Sequence, residues 1–198
     1  MRLPDSAHTS RPWRIHQVCG DFRLEDVWAL PTPGGPDDFP LLVEGIASSD
    51  PSDGASLPAR ALWEIRERAG SLLGLDAPRT GVGSRVPTLR ERLPADLRDA
   101  PRGPAFEALP FESLYMLGDE WAAEIANRTV HGVLHFGWVP DSDGGYRGQM
   151  AILVKPNGRL GTAYLAAIKP FRYLIVYPAM MRQLERGWLS RRSGSSAR

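Results

Sequence analysis

Cysteine is nearly absent from this sequence: 198 residues hold one, Cys19. A lone thiol excludes an internal disulfide framework and any cysteine-based zinc cluster. It suits a reducing compartment, so a cytoplasmic location is expected. Net charge is nearly absent too, +1 from 24 Lys and Arg against 23 Asp and Glu, so nothing global draws the chain to nucleic acid or to an anionic membrane. Long apolar runs are missing. The best of them, Tyr173 to Met181, is too short for a membrane span and contains Pro178. Met1 to Pro12 carries charge and proline without the apolar stretch of a secretion signal, so the sequon Asn127-Arg128-Thr129 reads as chance in a hairpin. No Walker loop, zincin helix or nucleophile elbow occurs. Gly81-Val-Gly83-Ser-Arg-Val86 starts like a dinucleotide fingerprint but lacks the third glycine and follows no strand-like run. No cofactor and no metal are therefore expected.

What is present is an ordinary globular composition, 42% hydrophobic and 24% charged, in a chain long enough for one domain with its own core. The expected layout is a mobile lead-in over 1–11, one domain over 12–189 and a disordered tail over 190–198. Alternation predicts a first strand from Trp13 to Val18, and Leu24, Val27 and Trp28 share a face in a short helix from Leu24 to Leu30 that Pro31 ends. Residues 31–55 read as a loop with one apolar island, Phe39 to Val43. Ser56 opens a helix in which Leu62, Ile65, Ala69, Leu72 and Leu73 recur at three and four, closed by Gly74. Residues 76–104 read as irregular, with a helical turn near Leu89 to Leu93.

From Phe106 the pattern changes to short alternating runs: Ser113–Leu117, Glu120–Asn127, Val130–Val139, and, after the turn Asp141-Ser-Asp-Gly-Gly145, Tyr146–Val154. These predict an antiparallel meander. After Gly158 the period becomes helical, with Tyr164, Ile168, Phe171, Ile175, Met181, Leu184 and Trp188 as a stripe on one long helix, bent near Pro170 and Pro178. The fold class is α+β, and the long helix is the natural cover for the apolar face of the sheet.

Three segments carry a family resemblance: Leu24 to Leu30 with Val27-Trp28, Ala61-Leu-Trp-Glu-Ile-Arg-Glu-Arg-Ala-Gly70, and Gly158-Arg-Leu-Gly-Thr-Ala-Tyr-Leu-Ala-Ala-Ile-Lys-Pro-Phe-Arg172. Together they resemble bacterial domain-of-unknown-function family 2867, which looks like a branch of the START-like, or SRPBCC, superfamily that includes polyketide cyclases and lipid carriers. The resemblance implies a helix-grip fold, a curved antiparallel sheet wrapped around the C-terminal helix with an internal cavity. Where that family often has a histidine after its Pro-Phe pair, this chain has Arg172.

The residues expected to line such a cavity for a hydrophobic ligand are Leu134, Phe136, Trp138, Tyr146, Met150, Ile152, Ile168, Phe171 and Ile175. The catalytic candidates are Tyr164 as hydrogen-bond donor, Arg172 as anion holder, and His135 or Glu124 as base. Each has a plainer reading. His131 and His135 share a strand face opposite Leu134, Phe136 and Trp138, which places them on the solvent side, with His16 as a conceivable third imidazole. Glu120 and Glu124 alternate with Trp121 and Ala123 and read as solvated, and Arg172 reads as facing out. The functional expectation is a cofactor-free pocket enzyme of cyclase, isomerase or dehydratase type. The alternative is a non-catalytic carrier or sensor of a hydrophobic molecule. A homodimer is compatible with either.

Overall fold

The computed structural model describes residues 1–49, 81–83, 86–127 and 129–195. In chain order the elements are β1 (Arg2–Leu3), α1 (Ser6–Thr9), α2 (Ile15–Val18), β2 (Arg23–Ala29), α3 (Phe39–Ala47), a 3₁₀ turn (Leu89–Arg92), α4 (Ala95–Asp99), β3 (Glu112–Met116), β4 (Glu120–Ala126), β5 (Val130–Pro140), β6 (Tyr146–Pro156), α5 (Gly158–Phe171), a π-helical turn (Arg172–Val176) and α6 (Tyr177–Ser195). The helix read from Ser56 to Gly74 lies outside the described residues. Among the described residues no helix is long and apolar enough to cross a membrane.

The six strands form one curved antiparallel sheet in the order β1-β2-β6-β5-β4-β3. The meander expected from residue 113 onward is present with boundaries within two residues. The segment read as a helix from Leu24 is instead β2, hydrogen-bonded to β1 on one side and β6 on the other. Seven residues are too few for the 3.6 and 2.0 periods to separate, and pairing on both edges decides the matter. The strand expected at Trp13 to Val18 is helical, with Ile15, Val18 and Cys19 buried at helical spacing. The apolar island at Phe39 is the first half of α3. Phe39, Leu42, Val43 and Ile46 are buried at spacings of three and one, with Pro40 in the first turn, where its missing N–H costs nothing.

Cross-strand partners share a face, so the registers sort the sheet. One face carries Trp121, Phe136 and Met150 in a row, beside Trp28. It packs with Phe39, Leu42, Val43, Tyr177 and Trp188 from α3 and α6. The expectation that Leu134, Phe136 and Trp138 point toward the long helix therefore agrees with the structure. The other face carries Ala122, His135 and Ala151, with Glu124, Val133 and Leu153 beside them. It is covered as well, by Trp13, Ile15 and Val18 from the N-terminal arm and by Leu89, Leu93 and Leu97 from the 3₁₀ turn and α4. Residues 1–11, read as a mobile lead-in, hold β1, α1 and the buried His8. Trp13 lies flat on β5 at Gly137, where a Cβ would come within 2.7 Å of the indole; only glycine permits that approach.

The helix from Gly158 runs to Ser195 and so takes in most of the expected tail. Its halves differ in phase. Leu184 and Trp188 face the core as expected, but in the first half the inward positions are Gly161, Leu165 and Arg172, while Phe171 is 51% exposed. The stripe read through Tyr164 and Phe171 is thus one residue out of step, although Ile168 remains half-buried. The π turn accounts for the slip, since its wider turn takes up an extra residue between two α-helical segments. Pro170 lies before that turn and Pro178 after it. Each removes a rung of the hydrogen-bond ladder, and the helix widens between them rather than ending.

Candidate functional site

The polar centre under the π turn begins at a bulge in β2. Leu24 pairs with Leu153 and Asp26 with Ile152, so one residue of β6 is matched by two of β2. A bulge re-aims the side chains that follow it. Here it turns Asp26 away from the face of Leu24 and beneath the helix, where it is 1% exposed. Four side chains surround its carboxylate. Arg172 Nη2 donates to Oδ2 at 2.7 Å and the Tyr177 hydroxyl donates to the same oxygen at 2.8 Å. The Tyr173 hydroxyl donates to Oδ1, and Arg2 Nε on β1 stands 3.6 Å from that oxygen.

The same groups bind one another. Arg172 Nε donates to the Tyr177 oxygen at 3.0 Å, and the Trp28 ring lies 4.5 Å from the Tyr177 ring, centroid to centroid. Burial, then the Asp26 carboxylate, pushes the Tyr173 hydroxyl up to about 12. Burial also raises Tyr177, with Arg172 opposing and Asp26 adding. Burial tends to lower the Arg172 guanidinium, but Tyr177 and Asp26 outweigh it and the net direction is upward. Both phenols therefore remain donors and the guanidinium remains a cation across the physiological range. Beside them the Trp28 indole N–H is buried with no partner among the described residues. An unpaired buried donor costs about 1–3 kcal/mol, so the site holds one recognition group without a mate.

A second polar set lies on the opposite sheet face. His131, His135, Glu120 and Glu124, read as solvated, are all buried there, because the arm and the 3₁₀ turn cover a face that one helix could not reach. His131 Nε2 donates to Glu124 at 2.8 Å, and Glu124 also accepts from the Leu89 N–H at 3.1 Å. His135 Nε2 meets Glu120 at 3.0 Å and Glu120 accepts from the Arg14 N–H at 3.0 Å. His8 Nε2 is 3.2 Å from His135 Nδ1, and His16 Nε2 is 3.2 Å from His8 Nδ1. Burial pushes Glu120 up to about 7 and lowers His8 and His135 to about 3. Among the described residues no group of three or more His, Cys, Asp or Glu is arranged to hold a metal ion.

The four catalytic candidates are therefore not one site. His135 and Glu124 lie on the arm side of the sheet and Arg172 on the helix side. Tyr164 falls on α5, and its side chain lies outside the described ones. Arg172, read as facing out, is turned inward because the π turn rotates it onto Asp26. Of the nine cavity candidates, Phe136, Trp138 and Met150 are packed core, Leu134, Tyr146, Ile152, Ile168 and Ile175 are half-buried, and Phe171 is exposed. Two cavities, of about 230 and 330 Å³, open beside α3, one against α6 and one toward residues 104–107, and none of the nine lines either. Sequence reasoning missed Asp26, Trp28, Tyr173 and Tyr177. No signal singled them out: Asp26 follows Glu25 in a segment read as helical, and Tyr173 and Tyr177 fall off the stripe expected for the long helix.

A helix lying across an antiparallel sheet with a buried Asp–Arg–Tyr centre defines an α+β domain with one polar site under its helix. The family model described as "Protein of unknown function (DUF2867)" matches residues 18–179, and the chain belongs to that family. No curated protein and no solved structure matches it.

Proposed function

We propose that the protein is a cofactor-free acid–base enzyme acting on a small apolar molecule that carries a carbonyl oxygen, with Asp26, Arg172 and Tyr177 as its working groups. The observation that carries this reading is the convergence of a guanidinium and two phenols on one buried carboxylate, with the ring of Trp28, whose indole N–H has no partner among the described residues, against Tyr177. They meet at the one π turn of the long helix, and such turns recur at functional sites. The resemblance to START-like proteins supports it, because in those folds the ligand lies between helix and sheet.

The chemistry is proton transfer next to a carbonyl. Arg172 and Tyr177 hold the oxygen, and Trp28 supplies a third donor. Asp26 removes a proton from the adjacent carbon, the C–H electron pair becomes the enolate C=C, and the negative charge on oxygen is met by the guanidinium. Where the substrate has a C=C next to that carbon, the enolate is conjugated with it; return of the proton from Asp26 to the far end of that C=C moves the double bond into conjugation with the re-formed carbonyl and completes an isomerisation. Tyr173, half-buried where Tyr177 is buried, is the group that substrate displaces.

A carrier is the second reading. It is favoured by the full set of partners that Asp26 already has, as in a static recognition site. Exchange of the α-protons of 1-tetralone for deuterium, followed by NMR, separates the two. The enzyme reading expects the wild type to exceed buffer at least tenfold and Asp26→Asn to abolish the gain while tryptophan quenching by the ketone persists. Binding without exchange leaves the carrier, and neither binding nor exchange rejects the site.

A further inference from the structure

We propose that the N-terminal arm is an acid-released clasp, held on the sheet by the row His16–His8–His135–Glu120 and freed when that row takes up protons. The row has a direction. A carboxylate at Glu120 accepts from His135 Nε2–H, His135 Nδ1 accepts from His8 Nε2–H, and His8 Nδ1 accepts from His16 Nε2–H. Every link requires one donor and one acceptor, and an imidazolium only donates. One added proton, on Glu120 or on a single imidazole, is accommodated because the neighbouring imidazoles reverse their tautomers. A second one among the imidazoles sets two donors face to face and breaks a link. The row tolerates one added proton and no more.

The arm contributes His8 and His16 to the row, the Arg14 N–H to Glu120, and Trp13 to the ring stack, 5.2 Å from His135. The other charged or titratable groups acting on the row are Asp119 from the turn before β4, Tyr115 from β3 and Arg14 from the arm, with Asp96 of α4 pairing the Arg14 guanidinium at 2.7 Å. Gln149 of β6 donates to the Ala7 carbonyl and does not titrate. His16 is only half-buried and is the end open to solvent. Glu120 lies at about 7 when the arm is docked, so docking gains a proton there as pH falls below neutrality. His8 and His135, at about 3 when docked, refuse protons that they accept near 6.5 once the arm leaves the sheet, and His16 is lowered in the same direction. Two full protons and part of a third against one leave at least one taken up on release. The docking equilibrium thus weakens by about tenfold or more per pH unit below pH 6. Because β1 belongs to the same arm, release also withdraws Arg2 from Asp26. The clasp itself does not depend on any activity at Asp26.

Hydrogen–deuterium exchange of the full chain, corrected for intrinsic rates and compared between pH 6 and pH 5, tests this. Residues 1–18 are expected to lose protection by about tenfold or more per unit while β5 and β6 remain protected. His8→Gln removes one proton and flattens that dependence about tenfold, and His16→Gln flattens it by less. Unchanged protection of the arm at pH 5, or wild-type pH dependence in both variants, overturns the proposal. Both substitutions lie in the arm, so a folded sheet is checked in the same experiment by the β5 and β6 peptides.

Discussion

At Asp26 a single side chain decides what the buried centre can do. Its carboxylate balances Arg172, which is 14% exposed, so removing either alone strands a charge in a water-poor place. Asp26→Ala is expected to cost about 3–5 kcal/mol in urea unfolding, and the double change Asp26→Ala with Arg172→Met to recover a substantial part, because the pair rather than either member is what burial tolerates. A double change no more stable than the single one would mean that the two residues do not act as a pair. Asp26 was illegible in the sequence because its placement depends on a bulge opposite β6. Period-two reasoning across Leu24 and Asp26 puts both on one face, and the bulge puts them on opposite faces. Arg172 was visible as a candidate from the family pattern, but its inward direction follows from the π turn, which leaves no mark in hydrophobic periodicity.

The long helix shows how far an element can be read and where the reading slips. Its existence and the docking of Leu184 and Trp188 follow from spacing alone. Its first half lies one residue out of step, since the only local sign of a wider turn is a pair of prolines that equally suggest a bend. The phase is testable by two substitutions. Leu165→Ala, at a buried position, is expected to cost about 2–5 kcal/mol. Phe171→Ser, at an exposed one, is expected to change stability by no more than about 0.5 kcal/mol. Thermal or urea unfolding of the two variants reads the difference, and equal costs would restore the original stripe. The same logic applies to β5, where Gly137→Ala brings a methyl into the Trp13 ring and is expected to loosen the arm.

For the whole molecule, one sheet is buried on both faces. The cover by the long helix was legible, because it has a period, and of the other cover only the turn at Leu89 was. The other cover consists of α1, α2, the 3₁₀ turn and α4, pieces of four or five residues whose apolar side chains keep no rhythm. Without it the histidines and glutamates of β4 and β5 looked solvated, and with it all four are buried. The sign of the pH effect follows. Glu120, raised to about 7, contributes stability that is present below its unfolded value and is lost as pH rises through 7. His8 and His135, lowered to about 3, contribute stability that is present above about 6.5 and is lost as pH falls toward 3. Urea midpoints are expected to peak between about pH 6.5 and 7 and to fall on the acid side. A midpoint higher at pH 5 than at pH 6.5 would contradict that ordering.

The centre beneath the π turn is the claim on which the functional account stands, and Trp28 reports on it directly. The chain has six tryptophans, and the Trp28 indole N–H is buried without a mate beside Tyr177. In a ¹H–¹⁵N spectrum titrated with 1-tetralone, the Trp28 indole resonance is expected to move downfield as its N–H gains the carbonyl oxygen, and the response to be lost in Arg172→Met. A fixed Trp28 resonance while another tryptophan responds would place the ligand elsewhere and contradict the assignment of the site.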